Sequence, residues 1–218
     1  MKKFVIFFLI INLSVFGNAQ KQITDATLSY DILINRVNQE KNTSNSPNAT
    51  YLLYVKGSLT KSEFINSLGT ETTIFNSKTE TGVILKEYSG QKLLVNLNKQ
   101  DWLFQNQLFM NLDFKFSNQS KKIEGKEYQI ATAALQDGGK LTVYFDPSLI
   151  IVNNNYSIAF PGIKGLPVQF ENLTNGINYV YKLKEINYDI LSQNSFDIPN
   201  SGYRVITYKD AMGLKKEN

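Results

Sequence analysis

The chain has 218 residues, a formal net charge of +4, no cysteine and no histidine. Those two absences exclude disulfides, Ser-His-Asp and Cys-His catalysis, and zinc sites of the usual His or Cys type. Lysines are scattered instead of clustered, which argues for a solvated surface and against a nucleic-acid groove, and no motif calls for a cofactor or a metal.

Residues 1–19 read as a secretory signal peptide. Met1-Lys2-Lys3 is a short positive region, residues 4–16 are almost continuously apolar, and Gly17-Asn18-Ala19 places small residues before a cut after Ala19. The apolar run is shorter than the ~20 residues that span a bilayer, so the chain is not expected to be an integral membrane protein after cleavage. Residues 20–218 are expected to form one exported domain, in the periplasm or at the cell surface. With no disulfides, packing alone must hold it.

Residues 26–37 (ATLSYDILINRV) alternate Leu28, Tyr30, Ile32 and Ile34 with polar neighbours, the period of a half-buried strand. Residues 39–47 are polar and end in a proline, as a loop does. Residues 49–57 (ATYLLYVKG) predict a second strand with both faces partly covered at Leu52-Leu53. Residues 58–64 and 70–76 suit exposed Thr-rich strands, and residues 83–88 and 91–97 predict a hairpin closed by Ser89-Gly90. Residues 98–107 lose the alternation and are expected to be a loop carrying Trp102, the only tryptophan. Alternation returns in Leu108, Met110, Leu112, Phe114 and Phe116, predicting a long strand with one apolar face.

Residues 128–135 and 140–145 form the next predicted hairpin, turned by Asp137-Gly138-Gly139 and ended by Asp146-Pro147. Residues 167–173 and 178–190 follow, joined by Thr174-Asn175-Gly176. Tyr179, Tyr181 and Leu183 share one parity while Ile186 and Tyr188 have the other, so a β-bulge near Lys184-Glu185 is expected to restore the face. Residues 160–170 (FPGIKGLPVQF) stand out as the apolar, turn-rich centre of this half, with Phe160, Ile163, Leu166, Val168 and Phe170 all needing cover. Residues 196–212 are expected to hold a loop at Pro199-Asn200-Ser201-Gly202, a short extended piece and an optional helical turn. Strands joined by hairpins without intervening helices predict an all-β, mainly antiparallel fold. One apolar face running through many strands requires the sheet to curl or be capped, as a strongly curved sheet or incomplete β-barrel.

No reaction is written in these residues. Asp31, Asp101, Asp113, Asp146 and Glu171 sit at no diagnostic spacing, and Asp137 and Asp146 are ordinary turn formers. Lys121-Lys122 with Lys126 suit a strand edge protected against pairing. No catalytic, cofactor or metal residue is expected. The candidate ligand face is apolar: Leu108, Met110, Leu112, Phe114, Phe116, Tyr179, Tyr181 and Leu183, lining either a cavity or a filled core.

Lys122-Ile123-Glu124-Gly125, Ala131, Ala133, Gly139-Lys140, Val143-Tyr144-Phe145, Pro147, residues 160–170, and the closing Phe196-Asp197-Ile198-Pro199 and Gly202-Tyr203 form a spaced series. It resembles secreted Bacteroidetes families typified by a Gly-Leu-Pro-Gly-Leu-Ile motif, and more their uncharacterised relatives, since Val168 follows Gly165-Leu166-Pro167. Tyr54-Val55-Lys56-Gly57, leading into further strands, is similar to the half-barrel lipoprotein carriers of the periplasm (LolA/LolB type). That resemblance implies a curved antiparallel sheet with a short helical lid over an apolar cavity. It implies a lipid or lipoprotein acyl chain, or an outer-membrane or envelope protein, as partner. The expected function is therefore non-catalytic binding of an apolar ligand. The alternative is an interaction protein with a filled core, and a hydrolase is least favoured.

Overall fold

A computed structural model describes residues 20–36 and 47–214. The first nineteen residues, where the signal peptide was read, and most of the loop expected at 39–47 lie outside the described residues. Along the chain come β1 (Lys21–Ile23), β2 (Asp25–Arg36), β3 (Ala49–Lys56), β4 (Leu59–Asn66), β5 (Gly69–Asn76), β6 (Thr81–Tyr88) and β7 (Gln91–Leu97). The helix α1 (Lys99–Gln105) and a 3-10 turn (Gln107–Phe109) interrupt them. Then follow β8 (Lys115–Ile123), β9 (Lys126–Ala134), β10 (Lys140–Asp146), β11 (Leu149–Ile151), α2 (Asn154–Ala159), β12 (Leu166–Thr174) and β13 (Ile177–Asn187). A second 3-10 turn (Gln193–Phe196), β14 (Arg204–Ile206) and α3 (Tyr208–Leu214) close the described chain.

Twelve strands form one curved, open sheet in the order β14-β7-β6-β5-β4-β3-β2-β13-β12-β10-β9-β8. Every neighbouring pair is antiparallel except β14 with β7. The all-β expectation and its incomplete-barrel form hold. A separate parallel ribbon of β1 and β11 lies beside the sheet. The hairpins follow their turn chemistry: Ser89 and Gly90, at φ 50° and 80°, take the two left-handed positions that a tight two-residue turn requires.

The long central strands β2 and β13 are joined along ten residue pairs. The register shifts between Leu183 and Glu185, so Leu183 opposes Tyr30 and Ile186 opposes Leu28. The extra residue returns Ile186 to the face of Tyr181 and Leu183, as the change of parity in the sequence predicts. In β2, Ala26, Leu28, Tyr30 and Ile32 are buried on that inner face. Leu28 and Ile32 each contribute about 1.5–3 kcal/mol of burial.

Cover for the inner face comes from several short pieces. At one end Ile84, Val95 and Leu97 pack against Trp102, Ile206, Tyr208 and Ala211, from α1, β14 and α3. At the other, Ala131, Ala133, Leu141, Val143 and Phe145 pack against Leu112, Phe114, Phe160 and Ile163. The outer face beside β6 and β7 is covered separately by Leu191, Phe196 and Tyr203 on Ile74, Val83, Leu85 and Leu94.

Two expectations need correction. Residues 98–107 are not a loop: Asn98 Oδ1 accepts from Asp101 N–H (3.0 Å) and Asp101 Oδ2 accepts from Asn98 N–H (3.2 Å), a capping box that starts α1. Residues 108–116 are not one strand either. Leu108 belongs to the 3-10 turn, Asn111 has φ 56°, and pairing begins only at Lys115. Leu112 and Phe114 alternate because they plug the end of the trough from a non-paired segment, and a left-handed residue cannot continue a ladder.

A candidate apolar cavity under the curved sheet

Between the two filled ends the inner face stands clear of its cover and bounds a half-open cavity of about 230 Å³. Its floor is built from alternate positions of adjacent strands: Tyr30 on β2, Tyr51 and Leu53 on β3, Thr60 and Ser62 on β4, Thr73 on β5, Phe170 and Asn172 on β12, and Tyr181 on β13. The register makes them neighbours. Tyr30 opposes Tyr51, Leu53 opposes Ser62, Ser62 opposes Thr73, and Phe170 opposes Tyr181. The roof comes from Trp102 and Asn106 at α1, Phe109 of the 3-10 turn, Tyr156 and Ala159 of α2, and Phe160 just after it.

Phe170 is the hub of the floor. Its ring stacks on Tyr181 (4.3 Å between centroids, 12° between planes) and meets Tyr30 and Phe160 edge-on at 5.7 and 5.2 Å. Tyr51 meets Tyr181 edge-on at 6.0 Å, and Phe160 packs on Tyr156 at 5.6 Å. Such ring pairs add about 0.5–1.5 kcal/mol beyond area burial, with defined geometry. The wall is therefore a rigid aromatic frame. On the roof, Trp102 stacks on Phe75 at 4.1 Å.

Among the described residues no Asp, Glu, Lys or Arg lines the cavity. Its polarity comes from hydroxyls, amides and one indole. Tyr30 Oη donates to the carbonyl of Pro167 at 2.9 Å, tying β2 to the start of β12. Burial pushes the Tyr30, Tyr51, Tyr156 and Tyr181 phenols above their ordinary range, so they are neutral at physiological pH. Trp102 Nε1 and Asn172 Oδ1 are buried without a hydrogen-bond partner among the described residues. Tyr156 Oη lies beside Tyr30 Oη, and after burial this neighbour is the main reason its phenol is raised.

Residues 160–170 serve this site as a corner. Phe160 closes α2, Ile163 is buried in the filled end, and Leu166 and Pro167 open β12 with almost no exposure. Gly165 is tight: a Cβ there would stand 2.4 Å from Phe145 Cδ2 and 2.8 Å from the Asp146 carbonyl oxygen. The same stretch presents Phe160 and Phe170 to the cavity.

Of the eight residues expected on the ligand face, Tyr181 lines the cavity. Leu183 packs beside it toward the β1–β11 ribbon, and Tyr179 is half-buried on the same side of β13. Leu112 and Phe114 are core of the filled end; Leu108 and Met110 are half-buried near the 3-10 turn; Phe116 is 56% exposed on edge strand β8. The question of void or filled core thus divides by position. Trp102, Asn106, Phe109, Tyr156 and Asn172 were not anticipated. The Asn98-x-x-Asp101 spacing would have revealed the helix that carries Trp102.

One polar cluster lies away from the cavity. Buried Asp146 accepts from Lys126 Nζ (2.5 Å) and from Ser148 Oγ and N–H (2.6 and 2.9 Å). Burial raises the Asp146 carboxyl, but these bonds outweigh it and the net shift is downward. The bond to Asp146 raises the Lys126 ammonium, leaving no free amine to act as a base. This is a turn clamp at the end of β10. Among the described residues no group of three or more acidic side chains is placed to hold a metal.

No family model and no curated protein matches the sequence, so the Gly-Leu-Pro-Gly-Leu-Ile resemblance gains no support. Among solved structures, an uncharacterized conserved protein from Thermus thermophilus is similar, with a TM-score of 0.53 at 12% identity over 84% of this chain and 90% of that one. PNGF-II is matched at 0.45 and 13% identity over 86% of this chain but 33% of its own, so this chain spans about a third of PNGF-II. A LolA superfamily protein from Nitrosomonas europaea is matched at 0.38 and 8% identity, over 83% and 93% of the two chains. The Thermus likeness shows a shared fold.

Proposed function

We propose that the chain is an exported, non-catalytic protein of the cell envelope that binds a lipid or other apolar ligand against the inner face of its sheet. The observation that carries this reading is the aromatic cavity of about 230 Å³ held open between Phe170, Tyr181 and Tyr30 below and Trp102, Phe109 and Tyr156 above. Largely apolar concavities with a few placed polar groups are the usual form of small-molecule sites. The uncharged lining favours binding over acid–base chemistry, and Lys126 is committed to Asp146. Residues 20–218 are read as one domain because a single sheet runs from β2 to β14. Residues 1–19 are read as the signal, and mass spectrometry of the native protein should find Gln20 at the N-terminus. Among the described residues no helix is long and apolar enough to cross a membrane.

The test is direct. Delipidated protein should bind fluorescent fatty acids or lipopeptides and quench Trp102 as it does so; no binding of any apolar probe would end the proposal. A second reading, an interaction protein of the envelope, is favoured by the two filled ends of the trough. It predicts recovery of a membrane partner from envelope extracts even when the cavity is blocked.

A further inference from the structure

The size and surroundings of the cavity restrict what can fill it. Three of its sides are packed. Leu141 and Phe160 in its wall belong to the filled cluster of Val143, Phe145 and Ile163. Tyr30 and Leu53 belong to the cluster of Leu28, Val55 and Leu166 beside the β1–β11 ribbon. Trp102 belongs to the cover over Ile84, Val95 and Leu97. Along the strands in the fourth direction, Phe64 and Tyr179 on the inner face are half-buried and Ile34 is 37% exposed. At about 30 Å³ per water-sized group, the volume of about 230 Å³ seats roughly eight methylene-sized groups in one row. Two chains side by side would have room for only about four groups each.

Among the described residues the wall holds no charged side chain, and a charged head drawn inside would lose its hydration without a counter-ion. Beyond the lining, the inner face carries charges of both signs: Arg36 at the end of β2, and Glu71 and Lys86 paired at 3.2 Å across β5 and β6. No single head charge is favoured. Resting on the apolar-binding reading, we infer that the cavity takes a single-chain amphiphile: one unbranched chain of about eight carbons, inserted apolar end first, with its head group left in solvent whatever its charge. A longer chain leaves its excess outside, and a lipid with several chains can place only one of them.

The experiment titrates the full mature chain with hexanoate, octanoate, decanoate and dodecanoate at mildly alkaline pH, and with the alkyltrimethylammonium salts of matching length. All are kept below micelle formation and read by calorimetry and by the fluorescence of Trp102. Affinity should rise about fourfold per added methylene, equivalent to about 0.8 kcal/mol, up to about eight carbons. It should then level off at the same length in both series. Dihexanoyl phosphatidylcholine should bind no more tightly than hexylphosphocholine. Thr73→Phe, which fills the cavity from β5, should move the break to shorter chains. A steady rise through dodecanoate, a break at different lengths for the two heads, or a gain of about tenfold from the second chain would overturn the single-chain assignment while leaving apolar binding in place. A break that a folded Thr73→Phe variant leaves unmoved would overturn the assignment to this cavity. Failure of every probe to bind would sink this inference and the apolar-binding reading together. The length series on the unaltered protein needs no variant to fold.

Discussion

Replacing Phe170 by alanine removes the ring on which the cavity floor is centred. The ring is half-buried because one side faces the cavity, so roughly half of the full transfer value for phenylalanine, about 1.5 kcal/mol, is lost. Losing the stack on Tyr181 at 4.3 Å adds about 0.5 kcal/mol, and the edge contacts with Tyr30 and Phe160 add about 0.5 each. The expected destabilisation is therefore about 3 kcal/mol, at the low end for Phe→Ala because the site is already open on one side. For a domain of this size that lowers Tm by about 6–12 °C. The same deletion enlarges the cavity, so the preferred acyl chain should lengthen. Urea unfolding at equilibrium, with a chain-length series in the same buffer, measures both effects. A loss below about 1 kcal/mol with no change in preferred length would show that Phe170 does not organise the site.

Gly165→Ala should destabilise by about 1–3 kcal/mol, because the new Cβ meets backbone at Asp146 that cannot swing aside; a neutral result in the same urea assay would show that the corner relaxes. Asn172→Leu should raise stability by about 1 kcal/mol, since it removes a buried acceptor that has no partner; a clear loss in thermal unfolding would mean that Oδ1 is satisfied. Tyr30, Tyr51, Tyr156 and Tyr181 titrate above the ordinary tyrosine value because of burial. Their contribution to stability is complete below about pH 10 and is lost as pH rises through the folded values. Near-ultraviolet absorbance at about pH 11 should therefore show tyrosines that ionise only when urea is added. The Asp146 carboxyl is shifted the other way: its contribution is present above the ordinary aspartate range and fades as pH falls through the lowered folded value. Asp146→Asn should cost about 1–2 kcal/mol near neutrality and show a shallower loss of stability in acid titrations.

Much of the fold was legible because strand signals are local. Leu28, Tyr30 and Ile32 alternate with polar neighbours, Ser89-Gly90 and Asn175-Gly176 supply left-handed turn positions, and the parity change after Leu183 reveals a bulge. Each of these depends on residues a few positions apart. Residues 98–116 misled for the converse reason: apolar alternation reports which side chains are covered, and a plug such as Leu112 and Phe114 shows the same period as a paired strand. The capping box at Asn98 was the local signal that could have separated them.

By itself the sequence determined an antiparallel β protein with one apolar face, built without histidine, cysteine or disulfides. Period-two burial and turn chemistry act over single hairpins, so they can be read along the chain. Only the tertiary structure decided that this face is filled at its ends and hollow at its centre. That outcome depends on where α1, α2 and residues 108–114 come to rest over strands distant in sequence. The meeting of Tyr30, Phe170 and Tyr181 exists only once β2, β12 and β13 are laid side by side.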